Sequence, residues 1–154
     1  MVNIRELKRA LVRSESGGAL VETAVTLPLL VMMVIGVVEL SRVAYTAIEV
    51  SNAARAAVSY ASQDGGTASD TAGITWAATH DGANVATLSV ASVSLSYACS
   101  DGSDATGLST DCANTHLVET VTVKTQATVD PMIHLPGLPM TYTLHGLASQ
   151  KCLQ

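Results

Sequence analysis

The stretch that decides the fold is residues 19–38, ALVETAVTLPLLVMMVIGVV, in which Glu22 is the one charged residue. As a helix, this run of twenty residues would be roughly 30 Å long, which matches the thickness of the hydrocarbon core of a bilayer. A buried helix of this composition would need a large protein around it, and the rest of the chain is too short to enclose it. The run therefore predicts a helix that spans a membrane.

The charged residues around this run predict its orientation. Residues 1–17 contain four Lys or Arg and two Glu, whereas residues 56–154 contain two Lys and eight Asp or Glu. Because basic flanks stay in the cytoplasm, we expect the N-terminus inside and the acidic body outside. A cleaved secretory signal peptide is the alternative, since it also begins with a basic region. The run is longer than a usual signal core and no A-x-A-like cleavage site follows it, which favours the span.

The composition of the whole chain limits the remaining classes. The chain has 154 residues, of which 48% are hydrophobic and 14% charged, and it contains no Phe. That length suits a membrane segment followed by one small domain whose core is aliphatic and alanine-rich. The apolar content excludes a disordered chain. The net charge of −5 argues against a nucleic-acid partner.

Two glycines stand immediately before the apolar run. Gly17 and Gly18 are predicted to interrupt the helix there, and a cut between them would make Glu22 the fifth residue of the mature chain. A carboxylate in hydrocarbon costs about 2.5–3.5 kcal/mol, so Glu22 requires a partner or a polar boundary. The ammonium of a new Gly18 terminus, in the same chain or a neighbour, is one partner. The alternative is a solvated Glu22 at headgroup depth, where the helix dipole favours an acid.

This arrangement resembles a prepilin-type leader, which is short and basic, ends in Gly and precedes an apolar helix with a Glu five residues in. Three stretches resemble the TadE-like family of pseudopilins from tight-adherence (Flp-type) pilus systems: VETAVTLPLL at 21–30, VVELSR at 37–42 and NAARAA at 52–57. Thr23 departs from the Phe or Tyr that usually follows the Glu. The resemblance implies cleavage at Gly17 by a prepilin peptidase, and a role for Glu22 in registering an incoming subunit by charge pairing.

Apolar residues spaced three and four apart continue beyond the span and predict one face of a helix outside the membrane. They are Leu40, Val43, Ala44, Ala47, Val50, Ala54, Ala57, Val58 and Ala61. The sequence QDGG at 63–66 predicts the end of this helix. A second helix is predicted at 71–80, capped by Ser69 or Asp70, and Trp76 is expected to pack on the first helix or on a sheet.

After Gly82 the period of the apolar residues changes to two, which predicts β-strands. The candidates are VATLSVASVSLSYAC at 85–99, which alternates imperfectly, HLVETVTVKTQATVD at 116–130 and MTYTLHGLAS at 140–149. Pro and Gly residues at 130–139 predict turns between the last two strands. We expect an antiparallel meander with one face covered by the alanine-rich helix, a pilin-like α+β fold.

The cysteines predict a cross-link and no metal centre. Cys99 and Cys112 flank a polar loop, and a disulfide there, favoured outside the cytoplasm, would contribute about 3 kcal/mol on the chain-entropy model. Cys152 leaves other outcomes open, because it could pair instead, dimerise or remain free. The loop acids lack EF-hand spacing, and no metalloprotease, phosphate-loop or hydrolase motif occurs. We expect no catalysis, no metal, no cofactor and no small-molecule substrate.

The sequence thus predicts a leader at 1–17, a transmembrane helix at 18–40 and an extracytoplasmic α+β domain at 41–154. By resemblance, the chain is a non-enzymatic minor pilin-like subunit of a bacterial inner membrane, in contact with a prepilin peptidase and other pseudopilins. Two alternatives remain: a signal-anchored envelope protein unrelated to pili, and an adhesin or ligand-binding module that uses the acidic loop.

Overall fold

The structure, a computed structural model, describes residues 15–113, 115–133 and 139–152. The predicted leader before residue 15 and most of the predicted turn at 135–139 lie outside these ranges. The helices are α1 (Glu15–Ala61), α2 (Gly65–Ser69) and α3 (Thr71–Asp81), and the strands are β1 (Ser89–Cys99), β2 (Leu117–Val129) and β3 (Tyr142–Lys151). A long N-terminal helix packs on a small antiparallel sheet, so the predicted α+β fold is confirmed.

Helix α1 contributes to two compact units of the chain, which divide between Ser41 and Arg42. Gly17 and Gly18 lie inside α1, so the helix break predicted at these glycines is wrong. A glycine in a helix costs about 1 kcal/mol relative to alanine. A helix of this length tolerates that cost because each further residue adds a hydrogen bond. The end of α1 at Ala61 agrees with the stop predicted at 63–66.

The sheet has the order β1-β2-β3, and both strand pairs are antiparallel, as the predicted meander requires. Val93 of β1 lies opposite Val123 of β2. The register of β1 shifts between Val90 and Ser92, where Ala91 is the extra residue. This bulge moves the inward-facing positions from even to odd residue numbers. It explains why β1 alternates imperfectly in the sequence.

Small side chains form the core between the C-terminal part of α1, α3 and the inner face of the sheet. The buried cluster comprises Ala53, Ala57, Val58, Ala61, Ala68, Ile74, Ala78, Val121 and Val123. Thr125 Oγ1 of β2 donates a buried hydrogen bond of 2.7 Å to the carbonyl of Val50 on α1. A Cβ at Gly146 of β3 would collide with both groups. Glycine at 146 therefore allows the helix backbone to approach the sheet.

Helix α2 was not predicted from the sequence, because glycines at 65 and 66 are typical of the end of a helix. The Asp64 carboxylate accepts a hydrogen bond of 2.7 Å from the Thr67 amide, and Thr67 Oγ1 accepts one of 3.0 Å from the Asp64 amide. This reciprocal pair is a capping box, and it satisfies two amides that the new helix would otherwise leave unpaired. The capping box of Asp64 and Thr67 thus stabilises the N-terminus of α2 although its first two residues are glycines.

Helix α3 is present where it was predicted, and Asp70 is its N-cap. The expected packing of Trp76 against α1 or the sheet is wrong, since Trp76 is 63% exposed. Its ring stacks on that of His80, with centroids 4.8 Å apart. Ile74 and Ala78 face the core. Trp76 is two positions from each of them and therefore lies on the opposite side of the helix.

Replacing Gly146 with Ala tests the close approach of α1 to the sheet. The added methyl group meets the Val50 carbonyl, so the backbones must move apart. We expect the free energy of unfolding of the full chain in detergent to fall by about 1–3 kcal/mol, the usual cost of overpacking. Leu147→Ala, at the next and outward-facing position, is the control and should change little. Equal stability of the Gly146→Ala and parent proteins would contradict this packing.

Candidate assembly site on the N-terminal helix

The N-terminal part of α1 is apolar and uncovered. Its most apolar window has a mean hydropathy of 2.2, and none of that window is buried. Within the described part of the chain, α1 is the one helix long and apolar enough to cross a membrane by length and composition. It therefore fits a single-pass membrane anchor.

Hydroxyl side chains in the apolar run bond to the backbone of their own helix. Thr23 Oγ1 donates to the carbonyl of Ala19 at 2.8 Å. Thr26 Oγ1 donates to the carbonyl of Glu22 at 2.9 Å. A hydroxyl paired in this way needs no second partner in hydrocarbon. Pro28 lies inside α1 and removes one backbone hydrogen bond, which a membrane helix tolerates.

Glu22 lies one helical turn beyond Gly18, and both residues are exposed. Residues four apart share one face of a helix, with about 5–6 Å between them. The predicted cut between Gly17 and Gly18 is therefore about one helical turn from the Glu22 carboxylate. Residues 19–38 contain no basic side chain. If Glu22 lies in hydrocarbon, its countercharge has to come from a new terminus at Gly18, from another chain or from outside the apolar layer, whereas at headgroup depth water would solvate it.

The loop between β1 and β2 is closed by a disulfide between Cys99 and Cys112, whose Cα atoms lie 5.6 Å apart. Both cysteines are buried. The bond ties the C-terminal end of β1 to the residues that lead into β2. It restricts a loop that is otherwise largely exposed.

Two acids in this loop are engaged by neighbouring residues. Asp101 accepts hydrogen bonds from the amide and the hydroxyl of Ser103 at 3.0 and 2.7 Å. Asp111 accepts corresponding bonds from Thr106 at 2.8 and 2.7 Å. These bonds stabilise the ionised carboxylates and lower the pKa of both aspartates. Over the described ranges, no group of three or more His, Cys, Asp or Glu side chains is placed to hold a metal ion.

Cys152 is a free, half-buried thiol directly after β3. Its Sγ lies 3.9 Å from the carbonyl of Ala61, and its amide donates to the carbonyl of Glu119 at 2.8 Å. Burial raises the pKa of the Cys152 thiol, and the Glu119 carboxylate raises it further. The thiol is therefore protonated and weakly reactive near neutral pH.

A cleft of about 370 Å³ lies at the other end of the strands and was not predicted from the sequence. Its lining combines the start of the second unit with the segment before β1 and the end of β2. These residues are Arg42, Tyr45, Thr46, Asn84, Val85, Ala86, Thr87, Thr128, Val129 and Asp130. They come from three distant parts of the sequence, so neither spacing nor a motif could have grouped them.

The fold and this helix define a class: a small α+β domain that follows an apolar helix suited to single-pass anchoring. Residues 17–59 match the model of the TadE-like protein family, which confirms the resemblance over these residues. That family is a structural family associated with pili of the Tad/Flp type. The match includes Gly17, Gly18 and Glu22 and ends two residues before the end of α1. No curated protein and no solved structure matches the chain.

Peptide mapping without reduction tests the cysteine arrangement. We expect Cys99 and Cys112 in one linked peptide pair and Cys152 as the thiol that remains. Because its pKa is raised, Cys152 should alkylate slowly in the folded protein at neutral pH and faster as the pH rises. Denaturation should remove most of that protection. A linked peptide containing Cys152 from the folded monomer would contradict this arrangement.

Proposed function

We propose that this chain is a membrane-anchored, minor pilin-like subunit that takes part in assembly of a tight-adherence pilus. The observation that carries the proposal is the coincidence of two features in one segment. The TadE-like match at 17–59 includes the exposed apolar run 19–38, whose one charged residue, Glu22, lies a turn beyond Gly18. A leader at 1–17, a span at 18–40 and an extracytoplasmic domain at 41–154 follow from this proposal.

Two observations support a cytoplasmic N-terminus and a body outside the inner membrane. Basic residues precede the apolar run, and basic flanks are retained in the cytoplasm. The disulfide between Cys99 and Cys112 belongs to the unit on the other side of the run. Disulfides persist in oxidising compartments and are rare in the cytoplasm. Charge and redox chemistry therefore favour the same orientation.

Cleavage after Gly17 by a prepilin peptidase would create a positive countercharge for the Glu22 carboxylate. The new Gly18 ammonium would lie at the N-terminus of a helix, whose dipole disfavours a positive charge. The carboxylate of Glu22, a turn away, would offset that repulsion within one chain. Between two chains, the same attraction would fix the axial position of one helix against its neighbour. It would be stronger in hydrocarbon than in water because the dielectric constant is lower.

The proposed partners follow from this chemistry. A second pilin or pseudopilin would supply an apolar helix and a terminal ammonium, and the membrane would supply the low dielectric. The net charge of −5 does not favour a nucleic-acid partner. The proposed role is positional and requires no reaction at the subunit after the leader has been removed.

Mass spectrometry of the protein from piliated cells tests the cleavage. We expect the mature chain to begin at Gly18, and Gly17→Val to retain residues 1–17 because a branched side chain would stand at the scissile bond. Gly36→Val is the matched control. It places the same side chain in open space on the same helix and should be processed normally. An intact leader on the parent chain in piliated cells would refute processing.

Glu22→Gln tests the pairing role separately from membrane insertion. An uncharged amide costs less in hydrocarbon than a carboxylate, so insertion should be as good or better. We expect pili and co-purified pseudopilin to decrease by about tenfold or more, equivalent to about 1.4 kcal/mol of pairing free energy. Glu49→Gln removes the same charge from the same helix outside the run and should leave piliation unchanged. Normal piliation with Glu22→Gln would refute the pairing role.

A further inference from the structure

The connection between β2 and β3 exposes apolar side chains. Among its described residues, Met132 and Met140 are 67% and 73% exposed, and Ile133 is 43% exposed. The ten residues 131–140 contain no Asp, Glu, Lys or Arg. Exposed apolar side chains that occur as a group on the water-facing surface of a small domain indicate an interaction surface.

The base of this connection lies at a defined end of the second unit. Val129 and Asp130, the last residues before it, line the same cleft as Arg42 and Tyr45. On the return side, Thr141 Oγ1 donates a hydrogen bond of 2.9 Å to Asp130 Oδ1, which holds the two arms together. The connection that carries the exposed apolar residues therefore begins and ends near Arg42, at one end of the second unit.

The covalent chain keeps that end close to the proposed span. Arg42 follows Val38, the last residue of the apolar run, by four positions. Even a fully extended chain of that length reaches no more than about 14 Å, and a helix about 6 Å. Tyr45 is 49% exposed at this end, and tyrosines are enriched at the membrane–water interface. Interfacial side chains enter the boundary between headgroups and acyl chains by about 5–10 Å.

We propose that Met132, Ile133 and Met140 insert into the lipid interface beside the span and form a second, shallow membrane contact of the extracytoplasmic domain. This inference rests on the proposed anchoring of residues 19–38. Lipid is the occupant that fits because the three side chains are apolar and exposed, and because the end of the unit from which they project contains Arg42, four residues after the proposed span. The contact would restrict the tilt of the domain relative to the membrane before the subunit meets a partner.

Quenching of tryptophan fluorescence by brominated lipid tests the contact. The full-length protein carries Trp76→Phe, which removes its one native tryptophan, and a single new tryptophan at 133 or 140. It is reconstituted in vesicles of phosphatidylcholine and phosphatidylglycerol, with and without bromine on the acyl chains. We expect Ile133→Trp and Met140→Trp to emit at shorter wavelength than a water-exposed tryptophan. Brominated lipid should reduce their intensity about twofold or more, as for a side chain at interfacial depth.

Two further variants make the result decisive. Leu108→Trp replaces another exposed apolar residue in the loop at the opposite end of β2 and should not be quenched. Leu30→Trp reports the span itself and should be quenched strongly. Quenching at 30 but not at 133 and 140 would overturn this inference and leave the proposed anchoring intact, whereas no quenching at 30 would overturn both.

Two other results would also overturn the lipid contact. Equal quenching at 108, 133 and 140 would indicate general adsorption of the domain. A shift to shorter wavelength at 133 and 140 without quenching would indicate that protein, either another copy or a partner, covers the patch.

Discussion

The described part of the chain leaves the apolar part of α1 unburied, and this is the constraint on which the rest of the structure depends. In water, the exposed apolar side chains of residues 19–38 would carry a large free-energy cost at about 25 cal/mol per Å² of apolar surface. A bilayer removes that cost and satisfies the helix, whose backbone bonds are internal. In lipid, the carboxylate of Glu22 would need a countercharge or a polar boundary.

The two parts of α1 differ in their side chains and therefore suit different surroundings. Before Ser41 it presents Val, Leu, Ile and Met, which suit lipid. Beyond Arg42 it places alanines against the sheet, and at Val50 its backbone comes close enough to accept a hydrogen bond from Thr125. Small residues on the helix and glycine at 146 make that approach possible. The first part of α1 thus fits a membrane anchor, and its second part supports the single-sheet domain.

The sequence predicted whatever depends on long periodic patterns: the apolar helix, its outer apolar face, α3 and three antiparallel strands. It did not predict features that depend on one local contact. The bulge at Ala91 has no sequence signal beyond imperfect alternation. The α2 capping box was hidden by glycines, and Trp76 lies outside because Ile74 and Ala78 already fill the core-facing side of α3.

For the candidate site, the sequence located Gly17, Gly18 and Glu22, and the structure places them along one stretch of continuous helix. It could not group the residues of the cleft, because they meet only after the strands have paired. The exposed apolar residues Met132, Ile133 and Met140 were likewise not recognised as a surface, since turns were predicted at 130–139 and Met140 was assigned to the third strand. Their meaning depends on which end of the sheet they occupy, which is a property of the fold.

The most direct test of the central claim is the location of alkaline phosphatase fused after the last residue, because this enzyme is active only outside the cytoplasm. If residues 19–38 span the inner membrane with the N-terminus inside, the activity will be high and will remain with the membrane after alkaline washing. Active fusion released in the soluble periplasmic fraction would mean that the apolar run is a cleaved secretory signal. An inactive, stable fusion would contradict the orientation.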